Sequence, residues 1–280
     1  MRRQIRNHIL AMLLAAVALP AIAQEEEDAP KRDAKHVLQQ MHKAAKQFKF
    51  KVDGEELETP SDPIYRYTDG ARGSGGTIWA FGGKGRPDAL VTIAEDSNKQ
   101  NFVTETVVFS DKPLEVTIDG SKRRRAGNNA KFTAERMKAI DGARNPKGSK
   151  IRLRSQAKML ARKFEAFEMW NNDRTTEEQR YQLRLLTKPI LEYTDEPNGV
   201  LNGSIFLLNY GTNPELAMVL EARKDGWRAG FARLGHAKAT VQFGDKTVHT
   251  HAWFNGSDPF YLFGAIAKPR IVVKTGVSQP

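Results

Sequence analysis

The chain switches between two hydrophobic periods, and does so twice. After Asp33, apolar residues at Val37 or Leu38, Met41, Ala44 or Ala45 and Phe48 keep helical spacing. This predicts a helix capped by Asp33 and ended by Gly54 and Pro60. From Pro63 the period drops to two, and strands are expected over 64–68, 77–81, 90–94, 102–109 and 114–118. Glycine, proline and aspartate separate them, so the connections are tight and the strands should form an antiparallel meander. Residues 121–150 break the alternation and read as a connection with a short helical stretch around 133–140. A second helix is expected over 155–170, with Leu160, Phe164 and Phe167 on one stripe and Asn171-Asn172-Asp173 stopping it. Period two then returns, with strands expected over 181–186, 190–194, 204–209, 217–223, 227–234, 240–243 and 247–254.

The second switch copies the first. Pro63-Ile64-Tyr65-Arg66-Tyr67-Thr68-Asp69 returns as Pro189-Ile190-Leu191-Glu192-Tyr193-Thr194-Asp195, identical at five of seven positions. Gly76-Thr77-Ile78-Trp79 answers to Gly203-Ser204-Ile205-Phe206, Pro87-Asp88 to Pro214-Glu215, and 114–118 to 239–243 in pattern. Such self-similarity sets architecture before any motif does. The expected fold class is α+β, with two related halves, each a helix followed by an antiparallel β-meander of about five strands. The halves are expected at 33–120 and 151–267, joined by the basic connection 121–150 and followed by a tail at 268–280. Paired around a pseudo-twofold axis, they would cover each other's sheet edges.

Leu183-Arg184-Leu185-Leu186-Thr187-Lys188-Pro189, Gly203-Ser204-Ile205-Phe206, Tyr210-Gly211-Thr212-Asn213-Pro214-Glu215 and Leu220-Glu221-Ala222-Arg223 form a characteristic run. It resembles the hallmark of an exported, uncharacterised family abundant in planctomycete bacteria. In the first half the resemblance rests on Pro63 to Tyr67, Gly76 to Phe81 and Gly85-Arg86-Pro87-Asp88-Ala89. It implies an exported, internally duplicated protein and no particular activity. Members often carry further tryptophans and a histidine near the fourth strand. Here that place holds Asn101-Phe102-Val103-Thr104-Glu105, so no role tied to those residues is carried over.

The N-terminus reads as an export signal over 1–23. Arg2, Arg3 and Arg6 precede an uncharged apolar run of 11 residues, 9–19, and Pro20 leads into Ala21-Ile22-Ala23. Cleavage is expected between Ala23 and Gln24. The run falls short of the roughly 20 residues that span a bilayer, which weighs against an uncleaved anchor, and no transmembrane span is expected in the mature chain. Residues 24–32, with Glu25-Glu26-Glu27-Asp28 and Pro30, should be a disordered lead-in. The chain has no cysteine, which removes disulfides, thiolate ligands, thiol nucleophiles and lipid attachment at a lipoprotein cysteine. Cysteine-free export fits a periplasmic or extracellular location in a bacterium. Loss of the three signal arginines takes the formal charge from +11 to +8. An anionic envelope component is therefore a possible partner, although solubility alone accounts for dispersed charge.

Candidate chemistry is sparse. His249 and His251 lie two apart on an expected strand and share a face, so both imidazoles could hold one metal ion, with His236 and Asp245 nearby in sequence. Two histidines alone are ordinary surface residues. Lys122-Arg123-Arg124-Arg125 could grip phosphate or sulfate groups, or could be a solvated loop. No aromatic residue is interleaved there, and no nucleic acid is expected as partner. The glycine cluster over 70–76 matches neither a phosphate loop nor a nucleophile elbow and reads as a connecting loop. Tyr67 and Asp69 recur as Tyr193 and Asp195, which suits shared turn chemistry better than an active site. No cofactor is expected. The expected role is non-catalytic binding or envelope organisation, including polysaccharide adhesion through the basic run. The alternative is a metal-assisted hydrolase using His249 and His251.

Overall fold

A computed structural model describes residues 34–69, 74–96, 98, 100–118, 121–124, 131–170 and 178–269. The expected signal, including Ala23 and Gln24, the lead-in, and most of the tail lie outside the described residues. The chain is α+β, with few helices and mostly antiparallel sheet.

Helix α1 (Ala34–Ala45) is followed after two residues by β1 (Phe48–Val52) and the short β2 (Glu55–Glu56). Strands β3 (Tyr65–Asp69), β4 (Ser74–Phe81), β5 (Ala89–Glu95) and β6 (Asn101–Val108) form an antiparallel meander. β7 (Leu114–Ile118) leaves that sheet to pair with β1 and with β8 (Ser121–Arg124). After α2 (Phe132–Arg136) and β9 (Lys138–Ala139), helix α3 (Lys150–Ala161) is again followed after two residues by a strand, β10 (Phe164–Trp170). β11 (Gln179–Leu185), β12 (Leu191–Asp195), β13 (Val200–Tyr210), β14 (Asn213–Arg223), β15 (Gly226–Arg233), β16 (Lys238–Phe243), β17 (Lys246–His251) and β18 (Tyr261–Ala267) complete the chain. β11 pairs with both β10 and β13, so the second region is one nine-stranded sheet. In the first region β1 and β4 have no such bridge, and two sheets result.

Three apolar clusters stack through the molecule because successive strand residues point to opposite faces. Met41, Ala44 and Phe48 meet Trp79, Phe81 and Ile93 in one layer. Ala157, Leu160 and Phe164 meet Phe206, Leu208 and Met218 in another. Between them Ile78, Leu90 and Val107 of β4 to β6 pack on Ile205, Ala217 and Val219 of β13 and β14. The layers therefore run helix, sheet, sheet, helix. The edges are covered reciprocally: β9 adds to β15 and β18 adds to β6.

Two strands overturn the sequence expectation. Phe48 and Phe164 were expected on helical stripes, yet each opens a strand. Both sit four residues after a helical apolar position, Ala44 and Leu160, so they satisfy either period. The alternation in Phe48-Lys49-Phe50-Lys51-Val52, buried at every odd place, decides for the strand. The connection over 121–150 is likewise more ordered than expected, since it contains β8 and β9. The glycine cluster is not all loop, because Ser74, Gly75 and Gly76 belong to β4.

Candidate functional site

His249 and His251 do share a face, and their Nε2 atoms lie 3.0 Å apart, one donating to the other. Burial, and then the positive charge of Arg136, lowers the His249 pKa to about 4. His251 is held well below its ordinary value by burial and by His249. Both rings are therefore neutral at neutral pH. Nearby, Asp258 binds Arg233 at 3.2 Å and Arg136 at 3.4 Å, and Arg233 donates to Ala252 O. His249 and Asp245 line a cavity of about 800 Å³ between β9, β15 and β17, with Arg136, Lys138 and Lys246 also on its wall. His236 lies elsewhere, packed 4.3 Å from the Phe263 ring. Among the described residues no group of three histidine, aspartate or glutamate side chains is placed to hold a metal ion. The pair that could begin a metal site is thus present without a third ligand among the described residues, and guanidinium groups lie nearby.

Lys122, Arg123 and Arg124 lie on β8, and their side chains, with Arg125, fall outside the described residues. Tyr67 and Tyr193 share a different task from any chemistry. Each is the cross-strand partner of a glycine, Gly76 and Gly203, and its ring lies flat over that residue. A Cβ on Gly76 would meet Tyr67 Cζ at 2.4 Å, and one on Gly203 would meet Tyr193 Cζ at 2.1 Å. The aromatic ring covers the exposed backbone of a strand glycine, which explains the recurrence. The Asp195 carboxylate takes the Asn198 side-chain amide at 2.8 Å; the Asp69 side chain is outside the described part.

The Tyr193 hydroxyl donates to Glu221 Oε1 at 2.8 Å. Glu221 is 1% exposed and also receives Arg86 at 3.0 Å and Arg223 at 2.6 Å. Arg86, from the β4–β5 loop, further donates to Asp111 at 2.9 Å and Thr133 at 2.7 Å, and lies over the Phe132 ring. Burial, and then Glu221, raises the Tyr193 pKa well above its ordinary value. This network is closed: carboxylate, guanidinium and phenol satisfy one another, as buried charges must.

The opposite end of the sheet–sheet interface holds a cleft of about 560 Å³. Glu95, Asp96, Glu105, Glu168 and Glu215 line it, and among the described residues none of its lining is lysine or arginine. Aromatic walls come from Tyr67, Trp170, Tyr181, Tyr210 and Phe263. Trp170, Tyr210 and Phe263 are three of the six large apolar side chains exposed among the described residues. An exposed apolar concentration of this kind marks a binding surface more often than a bare accident of folding. Glu95 receives Lys268 at 2.5 Å, Glu105 the Tyr261 hydroxyl at 2.6 Å, and Glu215 the Asn213 amide at 2.6 Å. These donors fix the orientation of the carboxylates.

Sequence reasoning did not find this cleft, because its residues lie on eight strands and the loops beside them and share no spacing. The one usable signal was sequence recurrence, which brought Tyr67 and Pro214-Glu215 into view. Among the described residues no helix is long and apolar enough to cross a membrane. No family model matches the chain, and no curated protein or solved structure matches it.

Proposed function

We propose that this chain is an exported, internally duplicated binding protein whose ligand site is the aromatic and acidic cleft between its halves. The single observation that carries the binding reading is that cleft of about 560 Å³, within the usual range for small-molecule sites of roughly 300–1,000 Å³. Its carboxylates already accept hydrogen bonds from fixed protein donors, which suits them to holding charge rather than to passing protons. Duplication is supported by register. β3–β4–β5 aligns Tyr67, Gly76 and Ala94, and β12–β13–β14 aligns Tyr193, Gly203 and Glu221. The bond from Phe109 N to Asp88 O recurs as Leu234 N to Glu215 O, and Ile64 N to Ile78 O recurs as Ile190 N to Ile205 O. Export is supported by the arginine-led apolar run and the Ala21-Ile22-Ala23 site, and by the resemblance to the planctomycete family.

The binding reading is tested by a thermal-shift screen of small molecules, with hits located by chemical-shift mapping. Shifts clustered on Tyr67, Trp170, Tyr181 and Tyr210 are expected. Hits that instead gather around His249 would overturn it. N-terminal sequencing of protein expressed in a bacterial host should begin at Gln24. The rival reading, a metal-assisted hydrolase, has in its favour that His249 and Asp245 share the larger cavity. Near-stoichiometric transition metal in the purified protein, lost on His249→Ala, would establish it.

A further inference from the structure

The two ends of the sheet–sheet interface differ most where their registers agree. The paired main-chain bonds of Asp88 with Phe109 and of Glu215 with Leu234 serve as fixed points. Two residues before the first member, Arg86 in one half stands where Asn213 stands in the other. Two residues after the second, Asp111 stands where His236 stands. By strand register, Glu221 corresponds to Ala94 and Tyr193 to Tyr67. Arg86 carries its guanidinium into Glu221 and Asp111, with its Nε donating to Phe109 O. The counterparts of Tyr193, Glu221, Arg86, Phe109 and Asp111, namely Tyr67, Ala94, Asn213, Leu234 and His236, all line the cleft. At one end, then, the chain inserts a guanidinium of its own. At the other, a short amide takes its place beside an open acidic volume.

We propose that the cleft binds an organic cation through a guanidinium group, seated among the lining carboxylates and against the aromatic walls. This deepens the binding reading and rests on it. A planar guanidinium suits both features, since it stacks on aromatic faces and takes carboxylate oxygens in pairs. The charge contrast is local, because the whole chain is formally +11 while the described lining of the cleft carries five carboxylates and no lysine or arginine, and Lys268 pairs with one of the five, Glu95. His236 adds an acceptor: its Nε2 is buried without a hydrogen-bond partner, and burial followed by Arg233 keeps the ring neutral.

The test compares two isosteric probes on the protein starting at Gln24, N-acetyl-argininamide and N-acetyl-citrullinamide, by calorimetric titration. The first should bind roughly tenfold or more tightly than the second, as expected for replacing a charge-assisted pair by a neutral one. Added salt should shrink that margin. Glu215→Gln should weaken binding of the arginine probe by a similar factor. The double variant Ala94→Glu/Asn213→Arg, which copies the closed end, should abolish binding while leaving the unfolding midpoint within a few degrees of wild type. Equal affinity for the two probes overturns the cation assignment, and so does failure of both at millimolar concentration. If screening ligands without positive charge still map to the cleft in that case, the binding reading survives and the cation assignment alone is lost.

Discussion

Glu221 and Ala94 hold the same register position in their sheets, each opposite a glycine that carries a tyrosine ring. One is a carboxylate at 1% exposure and the other a methyl group. The difference teaches what one buried charge commits a neighbourhood to. Glu221 requires Arg86 from a loop 135 residues away and Arg223 from its own strand, and Arg86 in turn requires Asp111 and Thr133. Ala94 requires nothing, and a cleft of about 560 Å³ persists beside it.

The largest expected effect comes from breaking the sealed end. Glu221→Ala leaves Arg86 and Arg223 close together with their shared counter-charge gone. Truncating one member of a buried ion network costs about 3–5 kcal/mol. Urea unfolding should register that loss, whereas Glu215→Gln at the open end should shift the midpoint much less. A loss below about 1 kcal/mol for Glu221→Ala would mean that the network is solvated and that the contrast between the two ends is false.

The strands that flank β7 and β16 sharpen the comparison in another way. β8 carries Lys122-Arg123-Arg124, while β17 carries the neutral pair His249 and His251. A histidine whose folded pKa lies below its unfolded value takes up more protons when unfolded. Its share of stability is therefore complete above pH ~6.5 and is lost as pH falls toward about 4, the value for His249. The loss for His249 is on the order of 3 kcal/mol across that window. Arg136, Asp258 and Arg233 are the charged groups that act on the pair. Unfolding midpoints followed from pH 7 to 4 should fall steeply in wild type and more gently in His249→Gln/His251→Gln. Identical slopes would remove the histidines from the account.

Much of the fold was legible because meander strands announce themselves by alternation, and 114–118 matches β7 at both ends. β1 and β10 were not legible, since Phe48 and Phe164 continue a helical spacing and no glycine or proline marks the turn before them. β18 was missed for a different reason. Its pattern in Tyr261-Leu262-Phe263-Gly264-Ala265-Ile266-Ala267 is weak, and its stability comes from pairing with β6, more than 150 residues earlier. The site lay furthest from view. A buried pair such as Arg86 and Glu221 leaves no local trace, and the acids of the cleft converge only once two sheets are stacked face to face. The tyrosine–glycine pairs were the exception, because the same cross-strand register places Tyr67 opposite Gly76 and Tyr193 opposite Gly203, and both pairs are visible in the sequence.

The smallest effect isolates the glycines themselves. A Cβ at Gly203 would lie 2.1 Å from Tyr193 Cζ, and one at Gly76 2.4 Å from Tyr67 Cζ, so alanine forces either ring to move. The Tyr193 ring is tied by its hydroxyl to Glu221, and Glu221 is tied to two arginines. The Tyr67 ring borders the cleft and has volume into which it can shift. Overpacking without room to relax costs about 1–3 kcal/mol, while alanine in a strand regains roughly 0.5–1 kcal/mol of backbone entropy relative to glycine. Gly203→Ala should therefore cost about 2 kcal/mol, and Gly76→Ala close to nothing. Thermal unfolding of the two variants measures the difference directly. Equal costs would mean that Tyr67 is held as firmly as Tyr193, and the cleft would then be a rigid wall rather than a surface that can adjust to a ligand.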